Sequence, residues 1–334
     1  MQTRIQNLAG REHQRRARFG AKVLAGTVFA AVVLFAGCSP SGAPAPNSAQ
    51  NTAHPKIALI MKSLANDFFA TMAAGARRHQ AQHAGDYELL LSGIKNETDL
   101  TEQVNLVEQA VAQGAAAIVI APADSKALVP ALRRAQDAGM VIVNIDNRLD
   151  ADVVKQSGLS VSFVGPDNRD GARRVGMALA AKLKPGDEVA IIEGVTTAFN
   201  GQQRRAGFED AMQTANMKLV AVQSGEWEMD KANTVAANLL TAHPNLKALL
   251  CANDNMAIGA VSAVAAAGKT HQVLVVGFDD IAAVKPLLAD GSLVATANQH
   301  ADQLAVFGIE QALASLKSGK SGGDQTTAVD LVMP

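Results

Sequence analysis

Short polar clusters recur along the chain, each directly behind an apolar run. Lys62 and Asn66 precede the aromatic pair Phe68-Phe69, and Asn144, Asp146 and Asn147 stand just before Arg148. Further on come Gln202 to Arg205, Trp227 between Glu226 and Glu228, Asn253-Asp254-Asn255, Asp279-Asp280, and Asn298-Gln299-His300. Asn, Asp, Gln and Arg dominate this inventory, and their planar heads donate and accept hydrogen bonds in pairs. Vicinal hydroxyls on a sugar or polyol present donors and acceptors at a matching separation. Phe68, Phe69 and Trp227 supply faces for the weakly apolar C–H surface of such a ring. An anionic ligand would favour Arg and Lys beside glycine-lined helix N-termini, and no GxxxxGK[ST] phosphate loop is present. The chemistry suited to these residues is recognition of a neutral, polyhydroxylated molecule.

Charge inside such a site is best balanced locally, with Arg204 near Asp279 and Lys62 near Asp146. Catalysis is a weaker reading. Glu193, Glu226 and Asp279 offer carboxylates for acting on a sugar, but nothing in the sequence fixes their separation, so no catalytic residue is assigned. The cysteines and seven histidines show no metal-ligand spacing, so neither metal nor cofactor is expected. Cys251, inside an apolar strand, reads as an inert buried thiol.

The elements that must position these residues alternate strand and helix. Lys56-Ile-Ala-Leu-Ile-Met61 is an apolar run of the kind buried on both faces of a sheet. A helix is expected from near Asn66. Another spans Leu100 to Gln113, with Val104, Val107 and Val111 on one face, and stops at Gly114. Strands follow at 115–120 and 140–145, separated by a helix over 128–138. A second round opens after Ser162-Phe-Val164, with strands at 188–192, 219–222, 248–251 and 273–276. This alternation predicts an α/β fold with two doubly wound parallel-sheet lobes. Ligands of open parallel sheets sit outside the carboxyl ends of the strands, which is where every cluster above falls.

The N-terminal region has a different character. Residues 1–22 are basic, and an uncharged run from Val23 to Gly37 ends at Cys38. Fifteen residues is short of the ~20 that span a bilayer but suits the apolar region of an export signal. Ala36-Gly37-Cys38 resembles a bacterial lipobox, in which the cysteine thiol is lipidated and becomes the first mature residue. Residues 1–37 are therefore expected to be a lipoprotein signal peptide, Cys38 the lipidation site, and 38–55 a flexible Pro/Ala/Ser/Asn tether. The folded part would then lie in the periplasm, held to a membrane by lipid alone.

The chain has 334 residues, and its 30 Lys+Arg against 31 Asp+Glu give a net charge of −1. Such a balance excludes the basic footprint of a nucleic-acid partner. A sugar-sensing repressor would need a DNA-binding module before residue 56, where this chain has its export signal.

Four segments carry a family resemblance: Lys56 to Phe69, Cys251-Ala-Asn-Asp-Asn-Met-Ala-Ile-Gly259, Val275-Val-Gly-Phe-Asp279 and Ala295-Thr-Ala-Asn-Gln299. In this order they look like the periplasmic ribose/allose-type sugar-binding proteins of ABC transporters, and the resemblance covers Lys56 to Pro334. It implies a type I periplasmic binding protein fold, two lobes joined by a three-crossing hinge. It places 56–165 and 300–327 in an N-terminal lobe and 166–299 and 328–334 in a C-terminal lobe. It implies ligand contacts at Asn66, Phe68, Phe69 and Asp146 from the first lobe, at Arg204, Trp227, Asn253 and Asp279 from the second, and at Gln299 in the hinge. Lys62, with Asn144, Asp146 and the basic Arg148, looks closer to the allose-binding branch, and Asn147 stands where ribose binders carry Arg. The expected partners are a monosaccharide or polyol and the permease of an ABC importer, with the protein a monomer; a receptor role toward a membrane sensor is the alternative.

Overall fold

Strand β1 (Lys56–Met61) shows why the apolar runs become central strands. Ile57, Leu59 and Met61 enter one hydrophobic cluster while Ala58 and Ile60 enter another on the opposite face, so successive side chains are buried on both sides. The computed structural model describes residues 54–334. The expected signal peptide, Cys38 and the tether up to residue 53 lie outside the described residues.

After β1 the first round continues with α1 (Asp67–Gln82), β2 (Glu88–Gly93), α2 (Leu100–Ala112), β3 (Ala117–Ile120), α3 (Val129–Asp137), β4 (Val141–Ile145), α4 (Ala151–Ser157) and β5 (Ser162–Pro166). The second round comprises α5 (Asn168–Ala180), β6 (Glu188–Glu193), α6 (Phe199–Thr214), β7 (Lys218–Ser224), α7 (Met229–Ala242), β8 (Leu246–Cys251), α8 (Asp254–Ala266) and β9 (Leu274–Val276). A short α9 (Lys285–Ala289), β10 (Thr296–Asn298), the long α10 (Ala301–Ser318), β11 (Gln325–Thr327) and β12 (Asp330–Val332) complete the chain.

Two parallel sheets result, one of six strands in the order β11-β5-β4-β3-β1-β2 and one of four in the order β7-β6-β8-β9. The chain passes between them at three places. β5 runs through Asp167 into α5, which packs on α6 and β9. β10 pairs antiparallel with β12, yet α10, which follows it, packs against α1, β3 and β4. β11 joins the six-stranded sheet beside β5, and the chain then reaches β12.

Helix boundaries follow from local chemistry. Asn66 caps α1 by accepting from the Phe68 N–H at 3.0 Å, and Asn253 caps α8 by accepting from Met256 N–H at 2.9 Å. Gly114 ends α2 at φ +68°, a conformation that strains any residue with a Cβ. Strand β2 is among the elements the apolar pattern leaves unmarked, and it lies at a sheet edge with its leucines only partly buried.

Candidate functional site

The carboxyl ends of the two sheets face one another. On the six-stranded side, Lys62 directly follows β1, Phe68 and Phe69 occupy the first turn of α1, and Asp146 follows β4. Lys62 Nζ lies 3.2 Å from Asp146 Oδ2, both side chains being buried. Phe68 and Phe69 meet edge to face at 5.1 Å between centroids.

On the four-stranded side, Arg204 projects from α6 and is held along most of its head. Its Nε donates to Asn168 Oδ1 at 2.8 Å, and its Nη1 donates to the Ala252 carbonyl at 2.8 Å and to Asp279 Oδ1 at 3.3 Å. The guanidinium lies over the Phe278 ring, 3.9 Å from its centroid. Asp279 Oδ1 also accepts from Gln299 Nε2 at 2.6 Å. Trp227 seats its ring against Gly194, where an added Cβ would come within 2.1 Å of the indole.

These groups enclose one cavity between the two sides. Lys62, Asn66, Phe68, Phe69, Asp146, Arg204, Trp227, Asn253 and Asp279 line it, so residues scattered along the sequence converge on one place. Two opposite-charge pairs face across it, Lys62 with Asp146 and Arg204 with Asp279, as local charge balance requires. Asp146, Trp227 and Asp279 all adopt positive φ, at 61°, 70° and 127°. Such backbone costs ~1–3 kcal/mol per residue and collects at functional sites.

Three residues picked from the sequence fall outside the lining. Asn144 is spent on its own loop: Nδ2 donates to the Asn147 carbonyl at 2.8 Å and Oδ1 accepts from Leu149 N–H at 2.8 Å, which shapes the turn carrying Asp146. Asn147 donates to the Pro122 carbonyl at 2.9 Å and accepts from Asn200 N–H at 3.1 Å, a link between the two sides rather than a cavity wall. Gln299 stands behind Asp279 and orients its carboxylate. Asp254, adjacent to Asn253, is fully buried, accepting from Thr296 Oγ1 at 2.7 Å and Ile281 N–H at 3.0 Å.

Glu97 and Asn200 line the cavity without having been singled out. Glu97 lies in the loop after β2, an edge strand whose apolar signal is weak. Asn200 lies four residues before Arg204 on α6, so helical spacing from Arg204 points to it.

Burial governs the electrostatics. The Glu97 carboxyl is pushed up to about 7, chiefly by desolvation, with Lys62 opposing. Desolvation likewise raises Asp254 to about 6 and lifts Asp279 well above the usual range despite the Arg204 charge. The same burial lowers the Arg204 guanidinium.

Direct hydrogen bonds also cross the cleft around the cavity. Glu97 N–H donates to Glu228 Oε1 at 3.2 Å, Phe199 N–H to Ser125 Oγ at 2.9 Å, and Asn200 N–H to Asn147 Oδ1 at 3.1 Å. The two sides are therefore closed on each other, around a space lined by unspent polar atoms. Asp146 Oδ2 and Trp227 Nε1 are buried with no hydrogen-bond partner among the described residues.

The periplasmic binding protein domain matches residues 57–321. The chain belongs to the periplasmic binding protein family. This binding protein is 56% identical over 292 residues to the D-ribose/D-allose-binding protein of Pseudomonas aeruginosa, covering 87% of the chain and 91% of that relative. Among solved structures it resembles an ABC transporter solute-binding protein from Burkholderia multivorans with an unknown ligand represented as alpha-D-erythrofuranose. That match has a TM-score of 0.83 and 57% identity, over 84% of this chain and 100% of the other. A periplasmic solute-binding protein from Actinobacillus succinogenes with bound D-allose matches with a TM-score of 0.78 and 35% identity, over 84% and 97% of the two chains. The resemblance read from the motifs is borne out, and so are the two-lobed type I fold and the non-enzymatic class. The carboxylates that an enzyme reading would need are engaged elsewhere: Glu193 pairs with Arg205 at 3.3 Å, and Glu226 pairs with Lys231.

Proposed function

We propose that this periplasmic binding protein captures a monosaccharide or polyol between its two lobes, without chemistry, and delivers it to the permease of an ABC importer. The observation that carries the reading is the pairing of two orphaned groups in one cavity. Asp146 Oδ2 needs a donor and Trp227 Nε1 needs an acceptor, and both belong to a lining whose ion pairs are already balanced. A hydroxyl satisfies either need and adds no charge. A carboxylate or phosphate would upset the balance in a water-poor space where charge is costly. The edge-to-face Phe68 and Phe69 rings and the Trp227 ring, all on the lining, suit the C–H faces of a sugar ring.

Ligand capture follows from differential contact: bonds made to both lobes at once exist only in the closed form, so the ligand shifts the population toward it. Residues 56–165 with 300–327 form one lobe in this reading, and 166–299 with 328–334 the other. Residues 1–37 direct export, and Cys38 carries the lipid that holds the monomeric binding domain near its permease through the tether of 38–55. Among the described residues no helix is long and apolar enough to cross a membrane. Labelling of the expressed chain by a radioactive fatty acid, abolished in Cys38→Ala, checks that part; an unlabelled wild-type chain contradicts it.

D-allose and D-ribose, the sugars in the Pseudomonas aeruginosa relative's name, head the test panel. A ligand that binds only the native state raises the melting temperature by mass action. A thermal-shift screen of pentoses, hexoses, polyols, hexose phosphates and uronic acids is expected to show a rise of several degrees for at least one neutral sugar or polyol. A rise with the anionic members alone contradicts the reading.

A further inference from the structure

We propose that Glu97 is a ligand-binding residue that sets specificity, accepting a hydrogen bond from one ligand hydroxyl at the Lys62–Asn66 end of the cavity. The inference rests on the sugar-binding reading above and adds a contact to it. Glu97 is 2% exposed and lies on the cavity wall with Lys62, Asn66, Phe69 and Asp146. One of its oxygens is used: Oε1 accepts from Asn66 Nδ2 at 3.1 Å. Its Oε2 accepts no hydrogen bond among the described residues, and Lys62 pairs with Asp146 instead. Oε2 is not among the fully enclosed atoms left without a partner, so it stays open to the cavity that Glu97 lines.

The geometry also fixes what the missing partner is. Asn66 holds the carboxylate in place through one Nδ2 N–H, with its Oδ1 taken by the Phe68 N–H, and keeps its second N–H for the cavity it lines. The partner must be a donor small enough to share the cavity with two aromatic rings, and a sugar O–H fits. The carboxyl raised to about 7 by burial agrees, since nothing within ion-pair distance offsets its charge. Glu97 is also tied to closure, because its own N–H bonds Glu228 Oε1 from the opposite lobe. The loop that presents the carboxylate to the ligand is thus the loop that docks when the lobes meet. A ligand lacking the hydroxyl at this position would leave the carboxylate dry and unpaired, and that is how one hydroxyl becomes a selection criterion.

Isothermal titration of the full chain with D-allose and D-ribose, and then with the monodeoxy analogues of whichever binds, tests the assignment. Glu97→Gln keeps the shape and the Asn66 contact but removes the charge; melting curves without ligand confirm that it folds. The expected result is an affinity loss of about tenfold or more for the parent sugar. One deoxy analogue should be weak with wild type yet lose almost nothing further with Glu97→Gln, which identifies the hydroxyl in contact. Affinity within twofold of wild type for the parent sugar, or the same loss for every analogue, overturns the role of Glu97 and leaves the sugar-binding reading intact. Failure of wild type to bind any sugar in the panel overturns both.

Discussion

The two walls of the cleft carry the same kind of ion pair but support it differently. On the four-stranded side, Arg204 is fixed by Asn168, the Ala252 carbonyl, Asp279 and the Phe278 face, and Asp279 is fixed in turn by Gln299. On the six-stranded side, Asp146 Oδ2 has Lys62 at 3.2 Å but accepts no hydrogen bond, and Glu97 uses one oxygen of two. The first wall is organised around its ion pair before any ligand arrives, with the Trp227 indole N–H left unpaired. The second is completed by the ligand. A cleft built this way keeps a rigid template on one lobe and leaves the energetic reward for closing on the other, so that closure and recognition are one event.

Breaking the organised wall should have the largest effect. Arg204→Ala leaves Asp279 buried and uncompensated, with an expected loss of ~3–5 kcal/mol in folding stability and at least a tenfold loss of sugar affinity. Chemical denaturation and calorimetry measure the two. Unchanged affinity would remove Arg204 from the site.

The same wall should make the fold sensitive to pH through Asp254. Its folded value of about 6 lies above the ordinary 3.8, so between those values the folded protein keeps a proton that the unfolded chain has released. The stability that Asp254 contributes is then greatest below about pH 4, falls as pH rises to about 6, and stays lost above it, by ~3 kcal/mol at most. Denaturation midpoints across that range should show the decline in wild type and a shallower one in Asp254→Asn. A rise with pH that is steeper in wild type than in the variant would contradict the assignment.

On the unfinished wall, Lys62→Met leaves Asp146 buried without its cation, so it should cost about tenfold in affinity and destabilise the fold, but by less than Arg204→Ala because fewer protein contacts hold Lys62. If it destabilises the protein as much as Arg204→Ala, the two walls are not different in kind. The smallest effect expected is for Trp227→Phe, which keeps a ring but removes the unpaired indole N–H. Affinity should fall a few-fold, as for one neutral hydrogen bond of ~0.5–1.5 kcal/mol, and the ligand-free melting temperature should hold or rise slightly.

Much of this was legible in the sequence for identifiable reasons. Strands buried on both faces, such as β1 and β3, are continuous apolar runs, and the capping residues Asn66 and Asn253 mark helix starts. Clusters behind those strands led directly to Lys62, Asp146, Arg204, Trp227 and Asp279. The edge strand β2 escaped because its leucines are only partly covered, and Glu97 was lost with it. Asn144, Asn147 and Gln299 fall outside the lining for another reason. An amide that shapes a loop and an amide that lines a cavity have the same sequence signature, and only the partner atoms tell them apart.

A crystal structure of the sugar-bound protein tests the central claim most directly. One ring should occupy the cavity, with oxygens within hydrogen-bonding distance of Arg204 or Asp279 on one wall and of Lys62 or Asp146 on the other. A sugar found touching a single lobe, or bound outside this cleft, would contradict the account.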